Sequence, residues 1–179
     1  MLRLTIPEST LFDDDKQEFI ETKNTTIQLE HSLVSISKWE ARWKKPFLKT
    51  KRTREESIDY VRCMTISQNV DPNVYYCLSP EHIKQIEEYI NDGMTATTFS
   101  NIRKESSRGS FITSEQIYYQ MFSLGIDVKC EKWHLNRLMT LIRIFNIENS
   151  PKKKMSEKEI LAHNRMLNEQ RKRQHHTKG

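Results

Sequence analysis

Cysteine, histidine and clustered acid are the side chains here whose types could do chemistry. Cys130 and His134 stand four residues apart, and Cys63 and Cys77 add two more sulfurs. Structural zinc draws on paired ligands at tight, repeated spacing, and no C-x-x-C pair exists. The odd cysteine count also argues against a disulfide framework, so three reduced thiols are expected, with no metal and no cofactor. Nucleophilic catalysis would need a serine or cysteine with a base and an oxyanion site, and no G-x-S-x-G strand-turn-helix signature is present. His134, beside Trp133, is the most suggestive histidine, but at the start of an apolar helical stretch its expected role is packing or hydrogen bonding. Asp13-Asp14-Asp15 reads as a solvated turn. The expectation is a protein without catalytic residues, and not an enzyme.

Recognition chemistry is better represented. Trp39, Trp43 and Phe47 alternate with Lys38, Arg42, Lys44 and Lys45, and residues 38 to 54 hold eight bases and one acid. As a nucleic-acid surface these residues would combine phosphate contacts with stacking faces. As a structural helix they would bury the indoles and let the lysine stems run along the rim. Tryptophans at i and i+4 share a helical face, which favours the inward ridge. An exposed pair would mark a partner site. A second basic group lies near the C-terminal end: Lys152, Lys153 and Lys154, then Arg171, Lys172 and Arg173. Trp39, Trp43 and Phe47 and these six cations are the partner-binding candidates.

The elements that must carry these residues follow from bulk properties and punctuation. The chain has 179 residues, 36% hydrophobic and 30% charged, with four glycines. That length suits one domain plus an appendage, and the glycine scarcity disfavours phosphate-cradling loops. No apolar stretch approaches the roughly 18 residues of a membrane span, and the N-terminus lacks a basic start followed by an apolar run, so a cytosolic protein is expected. Charge is segmented. Residues 152 to 179 carry nine Lys or Arg against three Glu, whereas residues 1 to 31 hold seven acids and three bases. Such opposed patches can attract each other or different partners.

Along the chain, LRLTI, QEFIE and IQLE predict a short antiparallel β element within residues 1 to 30. A helix is expected over HSLVSISKWEARWKK, ending before Pro46. Thr53-Arg54-Glu55-Glu56 fits a capping box, opening a helix with Ile58, Val61 and Thr65 inward. Ser79-Pro80 opens another, with Ile83, Ile86 and Ile90 as its apolar stripe and Asn91-Asp92-Gly93 as its stop. Residues 94 to 112 read as a loop or loose hairpin. Thr113 and Ser114 then cap a helix carrying Ile117, Tyr118, Met121, Phe122 and Leu124, stopped at Gly125. Leu135, Leu138, Met139, Ile142 and Phe145 give the clearest helical periodicity. Ser156 starts a thinly apolar helix toward Arg173, expected to be mobile or to order on a partner. The fold class is thus mainly α: one globular domain over residues 1–150 with a short N-terminal antiparallel β element, and a basic tail over 151–179.

The strings LEHSLVSISKWEARWKKPFL, MTATTF, ITSEQIYYQMF, KWHLNRLMTLIRI and NEQRKRQ resemble small proteins encoded in the tail and structural gene modules of long-tailed bacteriophages and prophages. Within such modules the chain looks most like a tail assembly chaperone. The resemblance implies a non-enzymatic protein of the host cytoplasm that binds the tape measure protein and helps deliver tail tube subunits during virion assembly. It also implies two product lengths made by ribosomal frameshifting, for which an A-rich run encoding Lys152-Lys153-Lys154 would serve. Two alternatives stay open: a nucleic-acid-binding phage protein using residues 38–54 and the basic tail, and a minor virion connector or tail completion protein. Homo-oligomer formation is left open as well.

Overall fold

The computed structural model describes residues 1–13, 17–99, 112–149 and 157–175. It divides into two units, Met1–Phe145 and Asn146–Gly179. The fold is mainly helical with antiparallel β structure at the N-terminus.

Residues 2–13 and 18–29 form a two-stranded ribbon, with alternating apolar residues in its first and last strands. β1 (Leu2–Ile6) pairs with β4 (Thr25–Leu29), and β2 (Ser9–Asp13) pairs with β3 (Glu18–Thr22). Ile6 faces Thr25 and Ser9 faces Thr22, so one register runs through both halves without a bulge. Pro7, which has no N–H to donate, separates them. The inner half buries Leu4, Ile6, Ile27 and Leu29. In the outer half Thr22 is buried, on the opposite face by the two-residue alternation of a strand; its hydroxyl donates to the Ser9 carbonyl at 2.9 Å and lies 3.4 Å from the Cys77 sulfur. The face that enters the core at Leu4 and Ile6 therefore emerges into solvent at Phe12 and Phe19, cross-strand partners with ring centroids 5.1 Å apart. STLFD did not register as a strand in the sequence because its adjacent Leu11 and Phe12 fall on opposite faces.

α1 (Leu33–Trp43) is the central helix of the larger unit and packs against α2 (Arg54–Met64) and α4 (Ser114–Ser123). Ser32 caps α1, and Leu33, Ile36 and Trp39 are its fully buried stripe. The helix ends at Lys44, whose φ of 55° is left-handed and whose amide donates to the Glu40 carbonyl at 2.8 Å. A side chain at that conformation carries a steric penalty that glycine escapes. Lys44→Gly is accordingly expected to stabilise the protein by about 1 kcal/mol, read as a rise in the urea midpoint at unchanged slope; an unchanged or lower midpoint would show that the lysine side chain contributes more than its backbone strain costs.

The other predicted starts appear where their chemistry placed them. Thr53 and Glu56 form the reciprocal capping box of α2. Ser79 caps α3 (Pro80–Asn91), with Pro80 in its first turn. α5 (Leu135–Asn149) buries Leu135, Leu138 and Ile142, and the second unit contains α6 (Glu157–His175). Two short 3-10 helices, Pro72–Cys77 and Val128–Lys132, lie between the longer elements. Residues 92–99 have no regular structure, and the remainder of the expected loop, 100–111, lies outside the described residues.

Candidate functional site

The aromatic ridge of residues 38–54 turns inward. Trp39 is fully buried, with its indole N–H donating to the Glu56 carbonyl at 2.8 Å. Phe47 is buried against the rings of Tyr60 at 4.1 Å and Trp39 at 5.2 Å. Trp43 is half-buried and donates to Asp59 at 2.9 Å. As partner-binding candidates Trp39 and Phe47 are therefore corrected: desolvation of their large rings holds the core together, and neither face is open for stacking. Among the cations around them, Arg42 pairs with Asp59 and Lys45 with Glu56 at 2.5 Å, while Lys38, Lys44, Lys51 and Arg54 are exposed. Lys152, Lys153 and Lys154 lie outside the described residues. Arg171, Lys172 and Arg173 are exposed on α6.

The titratable groups converge elsewhere. His31, 2% exposed, shares a hydrogen bond of 2.5 Å between Nδ1 and the Tyr60 hydroxyl, and its ring meets that of His134 edge-on at 5.1 Å. His134 donates from Nε2 to the Tyr89 carbonyl at 3.0 Å and accepts at Nδ1 from the Asn136 amide at 3.3 Å, which fixes its neutral tautomer. Burial, helped by the nearby His134 and Arg52, pushes the His31 imidazole down to about 3. His134 is lowered too, chiefly by burial. Both rings are enclosed and bonded to their own chain, so the cluster joins the start of α1 to that of α5. The Leu135 amide, donating to the His31 carbonyl at 2.7 Å, completes the join. The cysteines are free, and burial followed by the Asp59 charge pushes the Cys63 thiol up to about 11, away from a reactive thiolate. Among the described residues, no three His, Cys, Asp or Glu side chains gather as a metal-holding group.

Among the openings lined by described residues is an apolar cleft of about 140 Å³ between α2, the 3-10 helix Pro72–Cys77 and α3. Ile58 and Val61 form one wall, and the other comes from the apolar stripe of α3 that the sequence showed. The stripe divides along its length: Ile86 is buried and Ile90 half-buried, but Ile83 is 47% exposed. Ile83, in the first turn of α3, thus lines an opening, while the rest of the apolar stripe is covered. Tyr76, 50% exposed, and the half-buried Leu78 close the end near the 3-10 helix.

Arg52 and Arg54 also line this cleft, with Glu87 on α3. Arg52 is held by its own surroundings: the guanidinium stacks 4.2 Å from the centre of the Phe47 ring and donates to the Phe47 carbonyl at 3.2 Å. The buried Phe47 thus positions a cation at the cleft without meeting a partner itself. The site is an apolar slot with a cationic border, suited to binding an apolar side chain beside a carboxylate. Sequence reading missed it because α2 and α3 are separate periodic helices in the sequence; the available signal was the position of Ile83 in the first turn after Pro80.

No helix among the described residues is long and apolar enough to cross a membrane. The chain matches no protein-family model, and no curated protein or solved structure matches it.

Proposed function

We propose that the protein is a non-enzymatic assembly chaperone that holds the apolar face of a helical client in the cleft between α2 and α3. The observation that carries this reading is the exposure of Ile83 and Tyr76 beside half-buried Ile58, Leu78 and Ile90, around a slot bordered by Arg52 and Arg54. An amphipathic helix docks in such a groove through one or two anchoring side chains. A slot of about 140 Å³ accepts one such anchor, worth roughly 1.5–3 kcal/mol for a leucine or phenylalanine. Binding of that strength is reversible. Several copies spaced along one long helix would protect it collectively and still dissociate one by one.

The client that the phage-tail resemblance implies is the tape measure protein, with tail tube subunits competing for it during assembly in the host cytoplasm. Co-expression tests this reading. The neighbouring tape measure protein should become more soluble with the wild-type chain, and Ile83→Asp, which places a carboxylate in the slot, should remove most of that gain and weaken binding by about tenfold or more. Client solubility that is indifferent to the wild-type chain would sink the reading.

The nucleic-acid alternative rests on the exposed cations Lys38, Lys44, Lys51 and Arg54 and on those of α6. With Trp39 and Phe47 in the core, it would use phosphate contacts without their stacking faces, and retention would fall steeply with salt.

A further inference from the structure

Phe12 and Phe19 are left unexplained by the fold. They are 48% and 74% exposed, at the outer end of a ribbon whose inner half is in the core. Large aromatic rings exposed together mark a surface that meets another. Glu21 shares their face of β3 by the two-residue alternation, so a ring and a carboxylate project side by side, about 7 Å apart along the strand. The cleft has the converse arrangement, an apolar slot with Arg52 and Arg54 lining it. The sizes also agree: a cavity of about 150 Å³ lined by leucine, isoleucine and phenylalanine accepts a benzene ring, and this slot measures about 140 Å³. Opposite net charge in residues 1 to 31 and 38 to 54 adds the same complementarity at longer range.

We propose that the ribbon end of one copy of this chain inserts Phe19 into the α2–α3 cleft of a second copy, with Glu21 of the first facing Arg52 and Arg54 of the second. Phe19 is too exposed to occupy the cleft of its own chain. In a head-to-tail arrangement of tip and slot, each added copy presents a fresh tip and a fresh slot. The consequence for the proposed function, on which this inference rests, is that a neighbour's Phe19 and a client helix compete for one slot. Self-association would cover the apolar site until a client displaces it.

Sedimentation velocity over a concentration series, at low and high salt, tests the contact. Wild-type protein should form species larger than a dimer, weakened by salt because of the carboxylate-arginine pairing. Phe19→Ala, which removes the tip, and Ile83→Asp, which spoils the slot, should each weaken association by about tenfold or more. Both positions are exposed, and circular dichroism would verify that each variant folds. Mixed in equal amounts, the two variants should form a one-to-one dimer, because each supplies the half the other lacks. A wild-type chain that is monomeric throughout, or a mixture that fails to dimerise, would overturn the inference. A fluorescent leucine-rich amphipathic peptide with acidic flanks separates this from the groove reading. If Phe19→Ala binds the peptide at least as tightly as wild type and Ile83→Asp does not, the groove reading survives a failed association test; equal binding by Ile83→Asp would sink the groove reading itself.

Discussion

Replacing Glu40 with alanine is expected to destabilise the protein by roughly 3–5 kcal/mol. Glu40 is 7% exposed, and its two oxygens accept from two backbone amides: Phe47 at 2.8 Å and Ser114 at 2.7 Å. The Ser114 amide belongs to the first turn of α4, where N–H groups have no intrahelical acceptor and the helix dipole favours negative charge. One side chain therefore fastens α1, the segment after it and the start of α4, across 74 positions of sequence. Alanine would leave both amides buried without acceptors. Glutamine is a sharper test than it looks, because its carboxamide offers one acceptor and turns an N–H₂ group toward the other amide; Glu40→Gln should cost about 2 kcal/mol. Urea denaturation of the three proteins measures this, and the alanine variant should melt about 10 °C lower. A loss below about 1 kcal/mol would mean that the amides find acceptors elsewhere.

The second large effect is a loss of stability in mild acid, traced to His31. Its imidazole is lowered from 6.5 to about 3 by burial first, then by the adjacent His134 and by Arg52. A base whose folded pKa lies below its unfolded value binds more protons when unfolded, so stability rises with pH across that interval. The contribution is fully present above about pH 6.5 and is lost progressively as pH falls toward 3. By pH 5 the loss from His31 alone should be about 2 kcal/mol, with His134 acting in the same direction. Most carboxylates titrate below that range, so the interval from pH 6.5 to 5 reports mainly on histidine. His31→Gln should flatten the slope of stability against pH in that interval, whatever it does to stability at pH 7. An unchanged slope would place the acid sensitivity elsewhere.

Local signals in the sequence were dependable where one or two turns of chain contain the whole interaction. Thr53 with Glu56, and Ser79 with Pro80, each complete their cap within three residues, so their helices begin where residue chemistry says they do. Leu135, Leu138 and Ile142 likewise repeat at the helical period and are buried together. The basic composition of residues 38 to 54 was equally plain, but its meaning was not. The single acid among eight bases, Glu40, bonds two backbone amides in the interior, and its second partner is 74 positions away. His31 gave no periodic or motif signal, because Tyr60 and His134 reach it from other elements.

The sequence by itself determined that this chain folds mainly into helices behind a short antiparallel ribbon, where those helices start, and that its charge is divided among segments. Those properties depend on hydrogen bonds and side-chain periodicity over a few residues. Tertiary structure alone decided which apolar residues are used up internally. Trp39 and Phe47 disappear into the core, while Ile83 and Phe19, read from equally apolar patterns, are left facing solvent. Burial depends on whether another element covers a face, and for Ile83 that is set by how far the surrounding elements cover the first turn of α3. For Phe19 it is set by how far the ribbon extends past the core, and no stretch of neighbouring residues encodes either quantity.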